Sequence, residues 1–141
     1  MTREHRMSTT GSCLCGAVAY RVDGPLRDVL ACHCTQCRKT SGNFVTATSC
    51  AKSDLSIAGE ASISWFTSSP GVRRGFCSVC GSQLFWDVAA RSTMSIFAGT
   101  LDGDPGLRLS GHIFCEAKGG YYEITDGLPQ QTGAYRRESC G

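Results

Sequence analysis

"ACHCTQCRKTSG", running from Ala31 to Gly42, sets three cysteines, Cys32, Cys34 and Cys37, within six positions. A tetrahedral metal takes four ligands, so a trio raises the question of what fills the fourth corner. The chain has 141 residues and ten cysteines, and four more of these fall into two tight pairs: Cys13 and Cys15 in "GSCLCG", and Cys77 and Cys80 in "FCSVCGS". The opening segment "MTREHRMSTTGS" has no apolar core of an export signal, which points to a cytoplasmic, reducing compartment. Disulfides are rare there, and cysteines in tight pairs point to metal.

Each group has its own geometry. Zinc binds thiolate at about 2.3 Å, so two sulfurs on one tetrahedral ion lie roughly 3.8 Å apart. The C-x-x-C turn of Cys77 and Cys80 brings two side chains together as the chain doubles back, and Gly81 can take a backbone conformation that other residues avoid. On an extended strand, Cys13 and Cys15 would face one side about 6.6 Å apart, too wide for one ion unless Gly11 and Gly16 allow a bend. Two ligands from each pair make a closed, structural site of four thiolates. The trio then holds one metal with an open position, the mark of a catalytic site. Spacing alone leaves another pairing open, in which Cys13 and Cys15 join Cys34 and Cys37. It also leaves open two structural sites, with Cys50, Cys115 or His112 as the missing ligand. Otherwise Cys50, Cys115 and Cys140 read as core or incidental thiols. His33, between two candidate ligands, points away from the metal if the stretch is extended, and reads as a packing or hydrogen-bonding residue. His112 reads as a satisfied histidine at a strand end.

Composition sets the frame. The apolar fraction is 41%, the charged fraction 18% and the net charge +2, which suits one globular domain. There is no long basic run to demand nucleic acid and no apolar stretch long enough for a membrane helix. In "AVAYRVDG", Val18, Tyr20 and Val22 alternate with Ala19, Arg21 and Asp23, a strand that ends at Asp23-Gly24-Pro25. "FVTATS", "ISWF", "QLFWDV", "MSIFAG", "LSGHIF" and "YYEI" are rich in β-branched and aromatic residues and read as further strands. A short helix over Thr35 to Thr40, capped by Thr35, is the one helical expectation. The fold is therefore mainly β, with short strands and tight turns.

"GSCLCGAVAY", "CHCTQCRKTSG" and "RRGFCSVCGSQLF" come in the order and spacing of the glutathione-dependent formaldehyde-activating enzyme family, which also includes centromere protein V. "FAGTLDGDP", "GHIF" and "ITDGLPQ" resemble that family as well, and the likeness runs from about Gly11 to Pro129. It implies a β-tent zinc-binding fold of short, mostly antiparallel strands over 11–135, between a disordered arm, 1–10, and a tail, 136–141. It also implies which cysteines share a metal. Cys13, Cys15, Cys77 and Cys80 hold a structural zinc, and Cys32, Cys34 and Cys37 hold a catalytic one, two zinc ions per chain. The family reaction joins glutathione to formaldehyde, a carbon–sulfur lyase run in reverse. An open zinc with three thiolates suits it: an incoming thiol would lose its proton there and, bound loosely to a centre already net negative, stay nucleophilic.

The partners implied are a small thiol such as glutathione and a small aldehyde, with no nucleic acid and no membrane. Gln36, Arg38, Lys39, Ser41 and Asn43 are nearest the trio in sequence and are the candidate substrate-binding residues, as is Thr40; Arg38 or Lys39 would pair with a carboxylate. Arg73 and Arg74 read as surface strand positions, and Trp65, Trp86, Phe44 and Tyr122 as core. No general acid or base stands out. Two rival readings remain: a non-catalytic binding module with both zincs structural, and a thiol-redox protein that cycles the middle cysteines through a disulfide.

Overall fold

The structure, a computed structural model, describes residues 8–134. Among the described residues it is mainly β, with ten strands, one α-helix and short 3-10 turns. The described residues resolve into two compact units, one of 8–27 and 48–107, the other of 28–47 and 108–134.

The first unit contains a three-stranded antiparallel sheet in the order β1 (Ser8–Ser12), β2 (Ala19–Asp23), β5 (Leu55–Ala58). It also contains an antiparallel series of β6 (Ile63–Ser69), β7 (Val72–Cys77), β8 (Gln83–Val88) and β9 (Thr93–Phe97). The alternation read in β2 is realised: Val18, Tyr20 and Val22 are buried with Leu84, Phe85 and Ile96. Strand β1 opens at Ser8, ahead of the expected domain start at 11, so residues 8–10 are sheet and not arm. Its polar "STTGS" has no alternation to announce it, and it is held by pairing with β2. Gly11 sits opposite Tyr20, where a Cβ would lie 2.2 Å from the phenol oxygen, so only glycine lets that hydroxyl reach Thr100 Oγ1 at 2.6 Å. Arg73 and Arg74 point to opposite faces of β7. The Arg73 guanidinium stacks 3.8 Å from the centroid of the Trp65 ring, but Arg74 is buried, contrary to the surface position expected of it. Asp87, also buried, receives Lys52 Nζ at 2.8 Å and Arg73 Nε at 3.0 Å.

The second unit is built on β3 (Val29–Cys32), which pairs antiparallel with the start of β4 (Val45–Ala51) and parallel with β10 (Leu109–Ile113). Between β3 and β4 lies the helix α1 (Thr35–Ser41). Its cap is Cys34, one residue before the Thr35 expected: the Cys34 sulfur accepts the Cys37 N–H at 3.3 Å. "YYEI" is not a strand; Tyr121 lies in a turn and 122–124 have no regular secondary structure. The expected tail, 136–141, with Cys140, lies outside the described residues. Among the described residues, no helix is long and apolar enough to cross a membrane.

Candidate metal centres

In the first unit, Cys13, Cys15, Cys77 and Cys80 bring their four sulfurs within 4.8 Å of one another. Cys13 Sγ lies 3.7 Å from Cys15 Sγ, which lies 3.7 Å from Cys77 Sγ, close to the edge of a tetrahedron of thiolates around zinc. The bend that an extended C-x-C would lack is supplied at Gly16, whose φ of 83° favours glycine. There Gly16 N–H returns to Cys13 O and Cys13 N–H to Val18 O. In the second turn, Gly81 has φ 80° and its N–H returns to Cys77 O at 2.8 Å. Backbone N–H groups aim at the sulfurs: Val18 at Cys13, Ala17 at Cys15, and Val79 and Cys80 at Cys77.

These donors divide the charge unevenly. Burial pushes the Cys13 thiol up, but the Val18 N–H and the Cys77 and Cys15 thiols outweigh it and leave Cys13 below its ordinary range. The Ser82 hydroxyl and N–H pull Cys80 down to about 5. The Ala17 N–H favours a Cys15 thiolate, but desolvation and three neighbouring sulfurs drive Cys15 up to about 11. Four thiolates at this spacing repel one another without a cation among them. The donor set, spacing and N–H groups together fit a closed thiolate–metal site.

In the second unit, Cys32, Cys34 and Cys37 are all buried, with their sulfurs within 4.8 Å of one another. Cys32 ends β3, Cys34 caps α1 and Cys37 lies on the buried face of its first turn, so one strand-to-helix corner delivers all three. Among the described residues, no fourth Cys, His, Asp or Glu joins this group. Cys50 and Cys115 are outside it; burial pushes both thiols up, Cys50 to about 11. Cys34 and Cys37 are free thiols.

The surroundings of the trio are polar and aromatic. His33 is fully buried and both of its ring nitrogens are engaged, Nδ1 with the Tyr122 hydroxyl and Nε2 with His112 Nδ1 at 2.9 Å. It therefore has no lone pair to offer a metal while these bonds hold. Sequence reasoning gave His33 a hydrogen-bonding role but did not find its partners, and it set Tyr122 in the core. The Tyr122 ring is half-buried, packed beside His33 and Phe44.

Of the candidate substrate residues, Lys39, Ser41 and Asn43 are exposed on or just after α1, and Gln36 and Arg38 are half-buried. The Ser41 hydroxyl donates to Cys37 O at 2.7 Å and accepts the Asn43 N–H at 3.2 Å, so it shapes the helix end. The Thr40 hydroxyl donates to Gln36 O at 2.8 Å.

This is a mainly β protein organised around two cysteine clusters, one of four sulfurs and one of three. Residues 8–117 match the family model described as glutathione-dependent formaldehyde-activating enzyme. A Halomonas elongata protein, provisionally named a glutathione-dependent formaldehyde-activating enzyme, is 35% identical over 132 residues, covering 84% of this chain and 82% of that protein. The chain belongs to the glutathione-dependent formaldehyde-activating enzyme family. A crystal structure of a Rhodobacter sphaeroides protein, a structural-genomics target, shares the fold with a TM-score of 0.59 at 19% identity, covering 86% of this chain and 98% of that one.

Proposed function

We propose that the chain is a zinc-dependent carbon–sulfur lyase-type enzyme of the cytoplasm that joins a small thiol to a small aldehyde, with glutathione and formaldehyde as the pair, or releases them again. Cys13, Cys15, Cys77 and Cys80 hold a structural zinc. Cys32, Cys34 and Cys37, when reduced, hold the catalytic one. A zinc bound by the trio supplies a Lewis-acid position that favours the ionised form of an incoming thiol.

The protein's own groups do the rest. The β3–α1 corner fixes three sulfurs before any substrate arrives, and the Cys37 N–H bound to the Cys34 sulfur favours its thiolate. The side chains of α1 and the residues just after it, Gln36, Arg38, Lys39, Ser41 and Asn43, form the binding surface for the peptide part of the thiol, with Lys39 the exposed cation for a carboxylate. The observation that carries this reading is the trio itself: three sulfurs from one corner, with no fourth ligating side chain among the described residues.

The test is made under reducing, zinc-replete conditions. Native mass spectrometry is expected to give two zinc ions per chain, and zinc-edge absorption to change when glutathione is added. NMR exchange between glutathione and its hydroxymethyl adduct, in buffer containing formaldehyde, should run faster than the spontaneous rate. Two zincs with no response to glutathione in either measurement would return the protein to a non-catalytic binding module.

A further inference from the structure

Strands β1, β5 and β6 each end a run of strands in the first unit. Two of these margins are guarded as edge strands usually are. Along β1, Asp102 N–H donates to Thr10 O at 2.9 Å, the Thr10 hydroxyl donates to Asp102 Oδ2 at 2.8 Å, and Gly11 bridges to Leu101. The chain thus covers that edge itself. Strand β5 is only four residues long and is flanked in sequence by the carboxylates of Asp54 and Glu60. Strand β6 has neither device. It runs for seven residues, "ISWFTSS", without a charge or a proline, and among the described residues no strand lies beyond it. Its central residue, Phe66, is 60% exposed.

The register of β6 on β7 says which backbone groups face outward. Ser78 N–H donates to Ser62 O at 2.8 Å, and from there Ser64 pairs with Phe76 and Phe66 with Arg74. Bonded and non-bonded pairs alternate along an antiparallel ladder. Ser64 and Phe66 therefore turn their N–H and C=O groups to β7, and Ile63, Trp65 and Thr67 turn theirs to the open edge. Side chains alternate as well. Trp65 stacks with Phe85 and Arg73 on one face, so Phe66 projects from the opposite face. A two-fold axis at Phe66 satisfies all of this at once. It sets Phe66 opposite its own counterpart as a non-bonded pair, where side chains come closest. It sets Trp65 opposite Thr67 of the second copy, each with outward backbone groups, and Ser64 opposite Ser68. No charge of the strand faces another.

We infer that β6 is a self-association edge, on which two copies of this chain pair antiparallel about a two-fold axis at Phe66. The occupant is a second copy because the strand is complementary to itself. Neutral residues meet neutral residues, outward donors meet outward acceptors, and one exposed aromatic ring meets its twin. Two-fold pairing consumes the edge, so association closes at the dimer and does not grow into a fibre. The inference is independent of the metal centres and of the activity proposed for them.

Sedimentation equilibrium on the full chain, in reducing and zinc-replete buffer, tests it. One added strand pair is a small interface, so the wild type is expected to dimerise with a dissociation constant in the micromolar range. Phe66→Lys and Phe66→Glu each set like charges face to face on the axis. Each is expected to weaken the dimer about a hundredfold, roughly tenfold for each ring no longer buried. Phe66 lies outside the core cluster, so both variants should keep the wild-type Tm. Mixed in equal amounts, the two variants should pair again, because an axis through this position brings their opposite charges together. A monomeric wild type, association beyond the dimer, a dimer indifferent to either substitution, or variants that stay apart when mixed overturns the inference.

Discussion

The two cysteine clusters set the same ligand type in opposite surroundings. The four-sulfur cluster joins two stretches 62 residues apart, Cys15 to Cys77, and sits where Cys13 and Cys77 are part of the hydrophobic core. The three-sulfur cluster comes from one corner of six residues, 32–37, which also contains the buried, hydrogen-bonded His33. A metal on the first closes a long loop and so contributes to folding itself. A metal on the second closes almost nothing. On the function proposed above, the first is a structural brace and the second a reagent, a difference that follows from how far along the chain the ligands lie.

The largest effect that tests this contrast is on folding. Cys77→Ser removes a ligand that is fully buried and shared with the core. Structural zinc sites are worth on the order of 10 kcal/mol, comparable to the whole stability of a domain. Cys77→Ser is expected to lose its cooperative thermal transition. Cys37→Ser should keep one, with a Tm within a few degrees of wild type, and carry one zinc where wild type carries two. The reverse pattern would mean that the roles of the two clusters have been exchanged.

Chelation gives the next effect. A centre with three protein ligands and an open position releases zinc to a competing dye before a closed centre does. Release from the reduced protein should be biphasic, with the fast phase missing in Cys37→Ser and the circular dichroism unchanged until the slow phase. A single phase accompanied by unfolding would erase the distinction.

Much of this contrast was legible in the residues because cysteine spacing is a strong local signal. The grouping of Cys13 and Cys15 with Cys77 and Cys80 was legible only as one of two pairings: it needed a bend in the C-x-C, and the turn at Gly16 supplies it and brings those sulfurs together. The β2 alternation was readable since one face is fully buried. Strand β1 was not, since its stability comes from its partner and not from its own composition. "YYEI" has the β-branched and aromatic content of a strand, yet its tyrosines are used otherwise, Tyr121 donating to Gly42 O and Tyr122 hydrogen-bonded to the His33 ring. The hydrogen bonds that link Tyr122, His33, His112 and Asp126 were invisible because successive partners lie 89, 79 and 14 positions apart, with His33 and His112 brought together by the parallel pairing of β3 with β10. No local pattern encodes such a meeting.

A smaller effect separates stability from metal in the four-sulfur unit. Burial pushes the Asp87 carboxyl up, but hydrogen bonds from Lys52 and Arg73 and their charges outweigh it and hold the carboxyl below its ordinary range. A depressed carboxylate contributes stability above the unfolded value, about 3.9, and loses it as pH falls through the lower folded value. Asp87→Asn should therefore cost about 2 kcal/mol near pH 7, a figure reduced from that of a fully buried pair because Lys52 and Arg73 are partly exposed. The gap from wild type should shrink below about pH 4. Both zincs should remain. Loss of zinc from this variant would show that the brace and the cluster are one cooperative element.

The smallest expected effect lies at the surfaces beside the two clusters. The four-sulfur cluster carries exposed apolar tips, Leu14 and Val79, within its two cysteine turns. The three-sulfur corner instead continues into Arg38 and Lys39 on α1. If the second cluster meets a carboxylate-bearing thiol, Lys39→Ala should raise the KM for glutathione two- to threefold, roughly the worth of one exposed ion pair. Tm and kcat should not move, and the KM difference should vanish in about 1 M salt, where the Debye length is near 3 Å. A KM that ignores both the substitution and the salt would make Lys39 a solvated charge like any other, and would shift the search for the thiol's anchor to the half-buried Gln36 and Arg38 on the same helix.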